Sequence, residues 1–491
     1  MQYKSTRSAV TLTASQAIIK GLADDGGLFL PMSVPKLDIP LENLPALSYC
    51  ETAYLVMKDF LDDFTEEELK DCIGKAYDEK FDTKEIAPIH QANDQYFLEL
   101  YHGATIAFKD MALSLLPHLL TCAMKKNHVD KEVVILTATS GDTGKAALAG
   151  FGGVKGTRII VFYPKGGVSH IQELQMVTTK ESNTKVIAVK GNFDDCQSGV
   201  KKIFNDEAFK KELDEKGFCF SSANSINIGR LIPQIVYYVY AYGRMVGSGA
   251  IKAGEELNFT VPTGNFGNIL AGFLAKKMGL PVGKLICASN ENNVLFDFFK
   301  TGVYDRNRNF VLTTSPSMDI LISSNLERLI YLSCGEDDVK NRELMESLAK
   351  TGKYEITEEM KAYLRDFYGV WATEEQVKET IRSVYDACGY VIDPHTAVAA
   401  FADKKWKEES GAVTKSVVLS TASPYKFSES VLKAIDKESI PADDFAMADR
   451  LCELWGEKIP NAVEGIRNAE ILHKDVCEIA AMKDAVAGYL Q

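Results

Sequence analysis

The feature that most constrains this fold is a rhythm. From Glu132 onward short apolar runs recur, each followed by a turn and a stretch with helical spacing: VVILT, RIIVFY, KVIAV, FCFSS, LNFTVP and KLICAS. Strands alternating with helices in this way are the signature of βαβ units and a parallel sheet. Several of these units carry their polar residues just after the strand, in the turn that opens the next helix, which is where open α/β sheets bind ligands. At 491 residues the chain exceeds the roughly 250–300 at which one core stops growing, so two or three domains are expected.

The rest of the chain frames that centre. Residues 1 to about 90 combine a Gly-rich turn at 23–29 with an amphipathic stretch, DDFTEEELKDCIGKAY, that predicts a helix and reads as a separate N-terminal lobe. Residues 91–430 are expected to form the main α/β region, with a smaller α/β unit over about 110–250 and a larger one built from the flanking segments. Between about 303 and 380 the sequence turns charged and helical (EITEEMKAYLRDF, TEEQVKETIRSVYDACGY), which predicts a helical insertion; 431–491 predicts a helical C-terminal segment.

Several function classes are disfavoured. A net charge of -13 argues against nucleic acid as the main partner, because neutralising phosphates needs a basic face. The ten cysteines form no CxxC pair and no Cys/His cluster at metal spacing, so no metal site is expected and free thiols in a reducing compartment are. The N-terminus lacks an apolar core and no run of 18 apolar residues occurs, so no membrane partner is expected and the cytosol is the default location.

Three constellations carry chemistry. In TATSGDTGKAALAGF (137–151), a strand ends and a helix begins, placing Ser140, Gly141, Thr143 and Gly144 at a helix N-terminus that favours a carboxylate or phosphate. The plain alternative is a helix cap; a nucleotide-phosphate loop is excluded, because Gly144-Lys145 is followed by Ala146. In LNFTVPTGNFGNILAGFLAKKMG, the turn Gly264, Asn265, Phe266, Gly267, Asn268 lets backbone amides converge on a second anion. In LYHGATIAFKDMALSLLPHLL, Lys109 sits in an apolar, helix-forming stretch. An isolated lysine there would be a surface residue, but beside two anion loops a desolvated amine can condense with an aldehyde cofactor, and pyridoxal phosphate offers that aldehyde together with a phosphate.

HGATIAFKD (102–110), TATSGDTG (137–144), YPKGGVSHIQELQM (163–176), NSINIGRL (224–231), PTGNFGN (262–268) and STASPYKF (420–427) together resemble the threonine synthases of the longer bacterial and fungal type, within the fold-type II pyridoxal-phosphate enzymes, almost end to end. The resemblance implies a tryptophan synthase beta-like fold: two parallel-sheet α/β domains with an added N-terminal lobe and helical insertion. It implies that Lys109 is the Schiff-base lysine, that Gly264, Asn265, Phe266, Gly267 and Asn268 cradle the cofactor phosphate, and that Thr421 hydrogen-bonds the pyridine nitrogen. Ser140, Gly141, Asp142 and Thr143 would hold the substrate α-carboxylate; where Asp142 stands, short-type members carry Asn.

The family's reaction turns O-phospho-L-homoserine and water into threonine and phosphate, a phosphate-eliminating carbon–oxygen lyase chemistry that needs a second phosphate site. Arg230, with Asn224 and Ser225 assisting, is the candidate, against the alternative of an Arg capping that turn. His102, His170 and His395 are read as structural histidines, and DPHTAVAAF (393–401) as a Pro-guided helix start near the site. The rival activities are threonine or serine dehydratase, a lyase releasing 2-oxobutyrate, and a non-catalytic binding protein. A monomer or homodimer is expected.

Overall fold

A computed structural model describes residues 1–139, 141–436 and 440–491. An N-terminal three-stranded antiparallel sheet comprises β1 (Gln2–Ser5), β2 (Thr11–Thr13) and β3 (Phe29–Pro31). The remaining strands are β4 (Ile89–Ala92), β5 (Gln95–Glu99), β6 (Glu132–Ala138), β7 (Thr157–Pro164), β8 (Thr184–Lys190) and β9 (Phe218–Ser221). They continue with β10 (Leu257–Pro262), β11 (Val282–Ser289), β12 (Val303–Asp305), β13 (Lys353–Glu355), β14 (Phe367–Trp371), β15 (Ser416–Ser420) and β16 (Asp475–Glu478).

Two sheets dominate. The five-stranded sheet runs β16-β8-β7-β6-β9 and is parallel throughout; the six-stranded sheet runs β14-β11-β10-β15-β5-β4 and is parallel except for the β4–β5 hairpin. Every apolar run read as a strand is one. Strand β6 shows why: Val133 and Ile135 enter the main core, whereas Val134 and Leu136 enter a second core on the other face with Ile160, Phe162 and Val189. Burial on both faces replaces the usual polar alternation with a continuous apolar run.

The predicted N-terminal helix forms over Glu66–Ala76, with Thr65 and Glu68 closing a capping box. The long helix Ile228–Gly247 is buried around nearly its whole circumference, as an all-round apolar sequence demands.

Two segments differ from expectation. The 303–380 region is not purely helical: it adds the β12–β13 hairpin, and β14 forms an edge of the six-stranded sheet beside β11. The C-terminal segment is helical over Asp444–Trp455 and Met482–Tyr489 but also returns β16 to the five-stranded sheet, parallel to β8. In both cases the strand is short and partly exposed, so the continuous apolar run that marks the inner strands is missing.

The topology gathers the informative turns. Those after β6, β9, β10 and β15 all leave the carboxyl ends of their strands, where the two sheets present their ligand-binding edges. Among the described residues no helix is long and apolar enough to cross a membrane.

Candidate active site

Lys109 is placed by backbone lacing between its own segment and the end of β15. The Leu100 amide donates to the Ser420 carbonyl (2.9 Å), the Phe108 amide to the Thr421 carbonyl (2.8 Å), and the Ser423 amide to the Ile106 carbonyl (3.0 Å). Ile106 adopts φ 50°, a left-handed backbone that is costly for a β-branched residue and so marks a constrained turn. Lys109 then opens the short helix Asp110–Leu113 with its side chain buried. Burial pushes its amine below the ordinary lysine range; Asp142 opposes the shift, and the ammonium of Lys426 and the guanidinium of Arg230 reinforce it.

Asp142 is the hub of the site. Its Oδ2 faces Lys109 Nζ at 3.2 Å and accepts from Ser317 Oγ at 3.0 Å, while its Oδ1 faces Lys426 Nζ at 3.0 Å and accepts from Gln172 Nε2 at 3.2 Å. Burial would raise this carboxyl, but the two ammoniums hold it well below the usual carboxylate range. Ser317 Oγ also accepts from Lys109 Nζ at 3.1 Å, so the hydroxyl bridges amine and carboxylate. Its amide donates to His395 Nε2 (3.2 Å), which leaves the ring proton on Nδ1, where Asp393 Oδ2 accepts it at 2.7 Å.

Two sets of buried donors lie near Lys109. In the first, Phe266 adopts a left-handed φ of 66° at the start of helix Gly267–Lys277, and Gly264 packs so tightly that a Cβ would stand 2.5 Å from the Ser317 carbonyl. Asn325 clasps this turn, its backbone and side-chain N–H groups both donating to the Asn265 carbonyl at 3.0 Å. Tyr237 and Tyr238 donate to Asn268 Oδ1 at 2.7 and 2.8 Å, and the buried Asn268 Nδ2 is left without a protein partner. An orphaned buried donor beside a helix N-terminus is the feature an anion satisfies.

The second is Arg230, only 4% exposed, on the first turn of helix Ile228–Gly247. Its Nη1 donates to the Ala223 carbonyl (2.9 Å), but its Nε is buried with no partner. Burial brings its guanidinium down to about 10, far below a free arginine. The turn-capping alternative accounts for one donor and leaves the rest unexplained.

The other sequence-predicted residues fall as follows. Gly141, at φ 134°, precedes helix Asp142–Phe151; the amides of Gly141 and Gly144 donate to Thr139 Oγ1, which leaves Asp142 and Thr143 to offer first-turn amides. Ser140 lies outside the described residues. Thr421 is buried beside Lys109's segment, and Ser225 Oγ accepts from Asn325 at 3.4 Å, linking it to the Asn265 turn. Asn224 is exposed on its turn, and the Asn265 side chain is also outward, where Ser324 Oγ donates to its Oδ1.

Lys426, Gln172, Ser317, Asn325 and Thr139 belong to this neighbourhood and sequence reasoning did not single them out. Lys426 and Gln172 lie inside motifs already noted, so position in a motif was the available signal; Ser317 and Asn325 lie in the segment read as a helical insertion and carried none.

Of the histidines, His170 is exposed, His395 supports Ser317, and His102 bridges Asp82 (Nδ1, 2.6 Å) and Glu99 (Nε2, 2.8 Å). Burial opposes the charge on His102, yet the two carboxylates raise it from 6.5 to about 9. A raised folded-state value contributes stability fully below the unfolded value and loses it as pH rises through the folded one. Unfolding free energy is therefore expected to fall by on the order of 2 kcal/mol between about pH 6 and pH 9.5. Urea unfolding of wild type and His102→Gln across that range checks this, the substitution flattening the fall.

Comparison with known proteins agrees with the geometry. The chain matches three families, described as "Threonine synthase N terminus" over residues 2–77, "Pyridoxal-phosphate dependent enzyme" over 83–422, and "Threonine synthase, C-terminal" over 396–476. It is 40% identical to human threonine synthase-like 1, covering 87% of this chain but only 58% of that protein, so it spans little more than half of that curated relative. It is 36% identical to threonine synthase of Saccharomyces cerevisiae over 88% of this chain and 89% of that one. The crystal structure of pyridoxal-phosphate-bound threonine synthase from Brucella melitensis superposes with a TM-score of 0.86 at 35% identity, covering 100% of both chains.

Proposed function

Because this chain belongs to the threonine synthase family of pyridoxal-phosphate-dependent enzymes, we propose that it converts O-phospho-L-homoserine and water to L-threonine and phosphate. The observation that carries the substrate is Arg230. A dehydratase acting on serine or threonine needs one phosphate cradle, for the cofactor; here a second buried cationic donor lies close enough to Lys109 to perturb its amine.

The residues present fit the cofactor. Lys109 supplies a buried amine for its aldehyde, the Gly264–Asn268 turn with its unpartnered Asn268 Nδ2 supplies donors for its phosphate, and Thr421 supplies a hydroxyl for its ring nitrogen. When bound, pyridoxal phosphate provides an electron sink conjugated to the substrate's Cα.

The chain's own groups do the rest. The first-turn amides of Asp142 and Thr143 hold the substrate α-carboxylate; the Asp142 side chain does not, since an ionised carboxylate already paired with two ammoniums repels another. Arg230, assisted by Ser225, holds the far phosphate, whose departure breaks the Cγ–O bond. Lys109, steadied by Ser317, takes the protons from Cα and then Cβ that loss of the phosphate requires, and returns protons at Cγ and Cα while water adds its hydroxyl at Cβ. Burial of these groups keeps bulk water from the site.

Supplied with pyridoxal phosphate and O-phospho-L-homoserine, the protein is expected to release threonine and phosphate in equal amounts. Phosphate accompanied by 2-oxobutyrate would move the assignment to a lyase, and absence of both phosphate release and a borohydride-sensitive absorbance band would leave a binding protein.

A further inference from the structure

Lys426 is used by none of the steps above, yet it is among the most enclosed charges in the molecule. Its side chain is 1% exposed, and its ammonium meets Asp142 Oδ1 at 3.0 Å and the Thr105 carbonyl at 3.0 Å. An ammonium withdrawn this far from water is costly unless paired, so its place implies a task. The task is legible in the division of Asp142: one oxygen is given to Lys109 and Ser317, the other to Lys426 and Gln172.

We propose that Lys426 is a positioning residue for the Lys109 amine: by occupying the far oxygen of Asp142, it keeps that carboxylate paired whether or not Lys109 carries a proton. The inference rests on the reading of Lys109 as the aldehyde-binding amine. Without Lys426, Asp142 would have Lys109 as its one close ion partner and would hold the Lys109 proton in place, withholding the free amine that condensation requires.

The charges around Lys109 support this. Asp142 faces it from its helix, Lys426 from the turn after β15, and Arg230 from helix Ile228–Gly247; Ser317 is neutral and is backed by His395. Behind Thr105 lie two more groups, Asp110, which accepts from the Thr105 amide and hydroxyl at 2.8 and 2.6 Å, and Lys145, 3.4 Å from the Thr105 carbonyl. Thus two ammoniums share one carboxylate, with the Arg230 guanidinium adding to the positive surroundings of Lys109, and the surplus favours loss of a proton. Lys109 is the group that can release it: its second acceptor is the Ser317 hydroxyl, which can turn to donate to a free amine, whereas that of Lys426 is a carbonyl that only accepts, and arginine retains its proton.

The test measures Lys109 reactivity in the cofactor-free protein. Acetic anhydride, a small uncharged probe, is applied across pH and acetylation at Lys109 is followed by peptide mass spectrometry. In Lys426→Gln, which keeps hydrogen-bonding capacity and drops the charge, the half-reaction pH is expected to rise by at least about one unit, a tenfold smaller free-amine fraction at fixed pH. Lys426→Arg is expected to stay near wild type, and adding Asp142→Asn to Lys426→Gln to bring the midpoint back down. An unmoved or lowered midpoint in folded Lys426→Gln overturns the proposal. Should that variant not fold, Lys426→Arg decides: a midpoint within a few tenths of wild type supports a role for charge, and a shift of a full unit overturns it. The underlying reading fails separately, if borohydride fixes no pyridoxal phosphate on Lys109 of the wild type.

Discussion

Lys109→Ala is expected to lower threonine formation from O-phospho-L-homoserine by roughly a thousandfold or more, since it removes both the cofactor's anchor and the group that moves protons at the substrate. The geometry says the loss will be chemical rather than structural. Asp142 keeps Lys426, Gln172 and Ser317 when Lys109 is gone, so no bare carboxylate is stranded in the interior. Thermal unfolding should therefore stay within a few degrees of wild type. Lys109→Arg makes the sharper control: it retains a cation for Asp142 but has no amine to condense with an aldehyde, so the charge is kept and the activity is not. Product assays paired with an absorbance spectrum before and after borohydride measure both halves. Substantial threonine from either variant would remove Lys109 from the chemistry.

Much of this arrangement was legible in the sequence because both-face burial leaves an unambiguous mark. VVILT is apolar almost throughout since both its faces meet a core, LNFTVP is buried along its whole length with Leu257, Phe259 and Val261 in the core, and the turns that follow them advertise glycine and hydroxyl residues. FYGVW was not legible as a strand. Its position at a sheet edge exposes Tyr368, and its surroundings, TEEMKAYLRD before and ATEEQVKET after, have helical spacing. DVCE was too short and too exposed to stand out, although β8 fixes it in register.

The site divides along a similar line. Lys109, Arg230 and the Gly264–Asn268 turn could be nominated because the chemistry demands those residue types next to strand ends. The partners that hold them could not. Ser317 and Asn325 reach the site from the far side of a long excursion, and a serine or asparagine in a turn has many ordinary uses. Lys426 was hidden for a different reason: in sequence a lysine between Tyr and Phe has the pattern of a side chain whose stem packs and whose head reaches water. Only burial distinguishes the two, and burial belongs to the tertiary structure.

Arg230→Met should move activity and stability in opposite directions. In the free protein the guanidinium is buried with one carbonyl partner and an unpartnered Nε, so folding bears the desolvation of a charge without an anion to offset it. Replacing it with an unbranched apolar side chain of similar length removes that burden and is expected to raise stability by about 1–3 kcal/mol, seen as a higher Tm in phosphate-free buffer. Substrate recognition changes the other way: losing a charge-assisted partner for the far phosphate should cost about 2–5 kcal/mol, roughly 30-fold to several thousandfold in kcat/KM. If the arginine holds that phosphate equally in the bound and reacting states, the loss falls on KM; a fall in kcat as well would mean that it also meets the charge developing as the Cγ–O bond breaks. In protein loaded with pyridoxal phosphate, where the Gly264–Asn268 turn is already filled, inorganic phosphate separates this from a capping role, since it should raise the Tm of wild type and leave Arg230→Met unmoved. A plain cap for Ala223 predicts the reverse pattern, with Arg230→Met less stable, no response to phosphate in either protein, and kcat/KM little changed. The sign of the stability change in phosphate-free buffer therefore tells a held-open anion site from a turn fastener before any substrate is added.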